Sequence, residues 1–153
     1  MAIYQHSSFQ KNQLPPHVEA GLIDAFTVTA DAVLHNRFDR FLSRYTLPHI
    51  VENLSETRGI KTLQEFNRFF SNGTRYYRSL GATELDRTLL AAEQKDDLTV
   101  TCATHARARR GTELVQDSYP ALFTLICENG VWKFAHSTYG IHKNQEFFEK
   151  LES

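Results

Sequence analysis

Histidine is the side chain whose unperturbed pKa, about 6.5, lies nearest the pH at which a general acid or base must work. The chain has seven: His6, His17, His35, His49, His105, His136 and His142. Two of them sit among aromatic residues in segments of strand periodicity. His49 alternates with Tyr45, Leu47, Val51 and Asn53, so these five side chains are expected on one face of an extended segment. His136 alternates in the same way with Trp132, Phe134 and Thr138. His49 and His136 are therefore the candidate catalytic residues, each able to move a proton on a substrate polarised by Tyr45, Asn53 or Arg107.

Other chemistries find less material. No two histidines stand at helical i, i+4 or strand i, i+2 spacing, so no metal site is evident. Cys102 and Cys127 form no CxxC and lie in apolar surroundings, which marks them as small core residues. GxGxxG, P-loop, HExxH and GxSxG patterns are all absent, and no cofactor is expected. A polar stripe, Thr101, Ala103, His105, Arg107 and Arg109, alternates with the drier set Val100, Cys102, Thr104, Ala106 and Ala108. The drier set should pack on helices, which turns the stripe to solvent or to a partner. An inverted phase or a bulge would instead carry His105 and Arg107 inward as an anion clamp. Glu84, Asp86 and Arg87 read as a solvated strand end in preference to a paired acid and base.

These residues are positioned by a chain of 153 residues, the length of one domain able to bury a real core. Apolar residues are 41% and charged residues 23%, with 11 Phe, 6 Tyr and 1 Trp, too greasy a composition for a disordered chain. Seventeen basic against 18 acidic residues leave a formal charge of −1, and no field that would draw the protein onto nucleic acid or anionic lipid. Near-neutrality also favours an apolar or weakly polar ligand. No run approaches the ~18–20 apolar residues of a membrane span, and Met1 to Gln13 lacks a basic then apolar leader pattern, so a soluble, cytoplasmic protein is expected.

Residues 1–16 are polar and read as an N-terminal arm. Three- and four-residue spacing of Val18, Leu22, Ala25, Phe26, Thr29 and Val33, then Phe38, Phe41, Leu42 and Tyr45, predicts helices over about 17–35 and 37–45. A short strand over 49–54 and a turn over 55–59 follow. Thr62 and Glu65 make a capping box for a third helix, whose apolar face holds Phe66, Phe70 and Tyr77 and which Gly81 ends. Tyr76 and Tyr77 straddle one face, so only one of them can line an interior. Strands over 83–94, 98–110, 115–128 and 131–139 form an antiparallel meander, with Asn129-Gly130 as its strongest hairpin signal. Helices first and strands later imply an α+β fold, three helices against a strongly curved antiparallel sheet. Such a sheet encloses a cone-shaped hollow, where pockets form. One domain over 17–141 and a short helix or tail over 142–153 complete the expected organisation.

Phe38-Asp39-Arg40-Phe41 running into a short strand, the stretch Thr57-Arg58-Gly59-Ile60-Lys61-Thr62-Leu63-Gln64-Glu65-Phe66, and the closing Asn129-Gly130-Val131-Trp132-Lys133-Phe134-Ala135-His136 are shared signatures. Over about residues 17–140 the chain resembles the nuclear transport factor 2-like superfamily, and within it the SnoaL-like branch. The resemblance implies a cone-shaped fold that pairs through its sheet as a homodimer. Family members include ketosteroid isomerases, dehydratases, cyclases, enzyme subunits and non-catalytic binding domains. Matching the isomerase pattern puts Asn53 where an Asp base closes the first strand, and Thr29 opposite a tyrosine that stabilises an oxyanion. Asn53 cannot accept a proton at neutral pH and Thr29 is a short donor, so the isomerase mechanism does not carry over. The closing strand of the family commonly holds a histidine where His136 stands.

The expected function is binding of a small, largely apolar molecule in the hollow. Tyr45, Asn53, Tyr77, Trp132, Phe134, Thr29 and Phe66 are the candidate ligand-binding residues. A cofactor-independent lyase, isomerase or cyclase using His49 or His136 is the alternative, and a protein-interaction or subunit role is the third.

Overall fold

A computed structural model describes residues 2–6 and 14–140. The elements run β1 (Ala2–His6), α1 (Pro16–Leu34), α2 (Phe38–Leu42), β2 (Tyr45–Glu52), β3 (Thr57–Ile60), α3 (Leu63–Ser79), β4 (Glu84–Asp96), β5 (Thr99–Arg110), β6 (Glu113–Glu128) and β7 (Val131–Tyr139).

Proline at the start of α1 pre-sets its first turn, where no intrahelical N–H partner is needed. The helix buries Val18, Leu22, Ala25, Phe26, Thr29 and Val33, one stripe at three- and four-residue spacing. Asn36, in the left-handed region at φ 57°, separates it from α2. The capping box of α3 is formed: Thr62 Oγ1 accepts from the Glu65 N–H at 3.0 Å, and Glu65 Oε1 accepts from the Thr62 N–H at 3.2 Å. Asn129 and Gly130 both have positive φ, 52° and 79°, as a two-residue hairpin between β6 and β7 demands.

All seven strands lie in one open sheet, ordered β1-β4-β5-β6-β7-β2-β3. The meander β4 to β7 is antiparallel throughout. The sheet as a whole is mixed, which corrects the expectation of an antiparallel one. β2 runs parallel to β7 and β1 parallel to β4. No tight hairpin links either pair, so nothing in the connections forces opposite directions. The arm contributes β1 at the edge, and the segment expected as a turn over 55–59 supplies most of β3, which pairs antiparallel with β2. The expected tail over 142–153 lies outside the described residues.

Register shifts interrupt every ladder of the meander, between Leu89 and Ala91, Ala106 and Ala108, and Thr124 and Leu125. Each extra residue bends its strand and raises the local twist, which curves the sheet. The helices cover its inner face, α1 touching β1, β4 and β7, with α3 against α1 and α2. Val100, Cys102, Thr104, Ala106 and Ala108 are all buried on that face, as the alternation in β5 requires. None of the described helices is long and apolar enough to cross a membrane.

Candidate functional site

Between the helices and the inner face is a hollow lined by Thr29, Ala30 and Val33 of α1, Phe69, Phe70, Gly73 and Tyr77 of α3, Phe41 of α2, and Tyr45, Leu85, Arg87, Tyr119 and Tyr139 of the sheet. Its cavity volume is about 50 Å³, and about 490 Å³ when the mouth, open to solvent, is included. Several waters fit, at ~10–15 Å³ each, and a benzene-sized molecule, which fills a cavity of ~150 Å³, must extend into the mouth.

Strand alternation explains its polar end. Leu85, Arg87 and Leu89 point inward from β4, opposite Ala108, Ala106 and Thr104 of β5. Ala106 in turn faces Tyr119 of β6. The single methyl of Ala106 leaves room for the two long side chains on either side of it to converge. Tyr139 joins them from β7, its ring centroid 6.1 Å from that of Tyr119. The hydroxyls of Tyr77 and Tyr119 hydrogen-bond each other, and that of Tyr139 bonds the Ser137 side chain.

Arg87 is surrounded by protein yet keeps open surface, as befits a side chain that walls a hollow. Burial works against its charge, and its pKa lies above the ordinary value through Tyr119, Tyr77, Tyr139 and Tyr45 as phenolates, a state they do not reach at neutral pH. Burial pushes the pKa of all four tyrosines up, and Arg87 lowers it only in part. At neutral pH the group is thus one guanidinium and four intact phenols. No carboxylate among the described residues pairs with Arg87, whose one hydrogen bond is a long contact, 3.4 Å, to the Asp86 carbonyl.

The neighbouring acid serves the other face. Asp86 Oδ2 accepts from Arg107 Nε at 2.9 Å and Arg109 Nε at 2.6 Å, and its Oδ1 accepts from Arg109 Nη2 at 3.2 Å. Burial raises the Asp86 pKa, and the two arginines more than reverse this, leaving it below the usual carboxylate value. His105 and Arg107 are exposed on the outer face with this cluster, not in the hollow.

Neither candidate histidine lines the hollow. The strand phase that grouped His136 with Trp132 and Phe134 is broken by the register shift at Thr124 and Leu125, where Ala135 is the extra residue. Trp132, Phe134, Ser137 and Tyr139 are buried, whereas His136 turns outward and meets Glu52 Oε1 at 2.5 Å. His49 is fully buried. It stands edge-on behind Tyr45, ring centroids 4.8 Å apart, and Nε2 shares a 3.0 Å hydrogen bond with Ser137 Oγ. Burial lowers its pKa to about 4 despite the opposing influence of the backbone at Phe134 and Ala135, so the ring is neutral at pH 7. His49 meets the hollow only through its neighbours, Tyr45 in front of it and, by way of Ser137, Tyr139.

Of the other candidates, Tyr45, Tyr77 and Thr29 line the hollow. The Thr29 hydroxyl is already donated to the Ala25 carbonyl at 2.8 Å, with that of Phe26 at 3.2 Å, so it offers a ligand little. Phe66 and Phe134 back Tyr45, at 5.1 and 5.3 Å between centroids, and form core behind the wall. Trp132 packs on Gly21, where an added Cβ would lie 2.9 Å from the indole Nε1. Asn53 is a turn residue whose Oδ1 accepts from the Ser55 N–H at 2.6 Å and the Glu56 N–H at 2.8 Å. The sequence reading placed Asp86 and Arg87 at a solvated strand end, which is corrected by the burial of Asp86 and the position of Arg87 in the wall of the hollow, and it passed over Tyr119 and Tyr139. The available signal was a lone arginine in the apolar phase of β4, between Leu85 and Leu89.

No protein-family model and no curated protein matches the sequence. Solved structures do match in shape. An NTF-2 like protein of unknown function from Shewanella oneidensis superposes at a TM-score of 0.60 and 8% identity, over 81% of this chain and 99% of the other. A candidate ketosteroid isomerase from Shewanella frigidimarina gives 0.61 and 12%, over 87% and 100%. Aln2 from a Streptomyces species gives 0.64 and 10%, over 84% and 93%. At such identities the likeness concerns the course of the backbone and leaves chemistry to the residues present. The chain has the nuclear transport factor 2-like fold.

Proposed function

We propose that the protein binds a small, largely apolar molecule in the hollow between its helices and its sheet. The observation that carries this reading is the wall itself. Phe41, Phe69, Phe70, Val33 and Leu85 supply apolar surface around one cluster of polar groups, the usual make-up of a small-molecule site. The proton-transfer alternative has less to work with, since no Asp, Glu or His is among the described lining residues and the phenols are held protonated. The test is calorimetric titration with benzyl alcohol and indole, repeated on Val33→Phe and Ala30→Leu, which shrink the hollow from α1. Binding by the natural chain that both variants weaken at least tenfold supports the reading. Binding that both leave intact, or none at millimolar ligand, overturns it.

A homodimer through the outer face of the sheet is part of the same proposal. Its support is exposed apolar surface there: Ile50, beside His136 in the β2–β7 ladder, is 40% exposed, and Leu122, opposite Thr138, is 52% exposed. Light scattering coupled to size exclusion decides it, a monomeric mass at 50 μM being the outcome that removes it.

A further inference from the structure

We propose that the ligand of this hollow carries a planar oxyanion, a carboxylate on an aromatic or similarly compact apolar body, and that Arg87 binds it. This rests on the hollow being a ligand site and names the class of molecule it takes.

Arg87 is a charge with no counter-charge among the described residues. A guanidinium cannot lose its proton in a protein, so Arg87 is a cation whatever its surroundings. Enclosed charges are ordinarily paired, because desolvation is costly unless an opposite charge offsets it. Here the adjacent carboxylate, Asp86, points to the opposite face and is held by Arg107 and Arg109. The other groups named around Arg87 are phenols, which can accept a hydrogen bond but carry no charge at neutral pH. The fork of Arg87 therefore faces the hollow with most of its five donors unused.

A carboxylate fits that vacancy in shape as well as charge. Its two oxygens accept two parallel N–H bonds from one guanidinium, a geometry that lysine cannot reproduce. The phenols close the selection. Tyr45, held protonated by burial, can donate to the same oxygens, beside Tyr77 and Tyr119, which hydrogen-bond each other. The apolar part of the lining, Phe41, Phe69, Phe70 and Val33, suits an aromatic body. The near-zero net charge of the chain is uninformative about this preference, because the site presents one local cation shielded from the rest.

The experiment is isothermal titration at pH 7 with benzoate, benzamide and benzyl alcohol, on the natural chain, Arg87→Met, Arg87→Lys and the surface control Arg110→Met. Benzoate should bind at least tenfold more tightly than benzamide. In Arg87→Met that ratio should fall to about one, and Arg87→Lys should keep less than half of the preference. Arg110→Met should retain it. If Arg87→Met does not fold, the loss in Arg87→Lys carries the test. Equal binding of benzoate and benzamide by the natural chain, or a preference that survives both Arg87 variants, overturns the proposal. Benzyl alcohol binding without benzoate binding overturns it and leaves the hollow as an apolar site. Failure of all three ligands overturns both readings.

Discussion

Asp86 and Arg87 are consecutive on β4 and send opposite charges to opposite faces of the sheet. The carboxylate lies under Arg107 and Arg109 on the outer face, and the guanidinium lies among four tyrosines on the inner face. Alternation along a strand makes this separation automatic. The pair that sequence proximity suggests is thus never made, and the two residues should respond to substitution in different ways.

Asp86→Asn removes the acceptor of charged hydrogen bonds from Arg107 and Arg109 while leaving the hollow untouched. Bonds of that kind contribute about 1.5–3 kcal/mol each at most, and the half-exposed Arg107 contributes at the low end. A loss of about 2 kcal/mol in urea denaturation is expected, with ligand binding unchanged. Because the Asp86 pKa is lowered in the folded chain, its contribution is present above the unfolded value and is lost as pH falls through the folded one. The difference between the natural chain and the variant should therefore shrink below about pH 4.

Arg87→Met should have the opposite sign. An enclosed charge with no carboxylate partner among the described residues is replaced by an apolar chain of similar length, so the ligand-free protein should gain about 1–3 kcal/mol in the same assay. A destabilised variant would mean that the phenols compensate the charge in full.

His49 gives a stability profile with a defined window. The unfolded ring protonates near pH 6.5 and the folded ring only near pH 4. Between those values the unfolded chain binds more protons, so stability falls as pH drops, by up to about 3 kcal/mol over the interval. His49→Phe should flatten the slope between pH 6.5 and 4, whatever its effect at pH 7. An unchanged slope would assign the acid sensitivity to other groups.

Gly21→Ala tests the contact between α1 and β7. The new Cβ meets the indole of Trp132, with Nε1 at 2.9 Å, against a rigid ring that cannot rotate away cheaply. Overpacking of this kind costs about 1–3 kcal/mol, although alanine is the better helix former. A blue-shifted or broadened Trp132 fluorescence spectrum should accompany the loss.

Much of this protein was legible in its sequence because the deciding forces are local. The capping box at Thr62 and Glu65, the positive-φ turn at Asn129-Gly130 and the apolar stripe of α1 depend on residues three or four apart, and all stand where the pattern put them. The inward set of β5, from Val100 to Ala108, follows from alternation over an uninterrupted stretch. Tertiary structure decided what alternation could not carry across a bulge. One extra residue at Ala135 turned His136 out of the interior and kept Ser137 and Tyr139 in it. It also decided which charge entered the hollow, because three strands, β4, β6 and β7, had to come together before Arg87, Tyr119 and Tyr139 could meet. No local spacing records a convergence of residues so far apart in the chain. The alternation of β4 nevertheless held half of the answer, an arginine between two buried leucines, and the long-range pairing of the sheet supplied the other half.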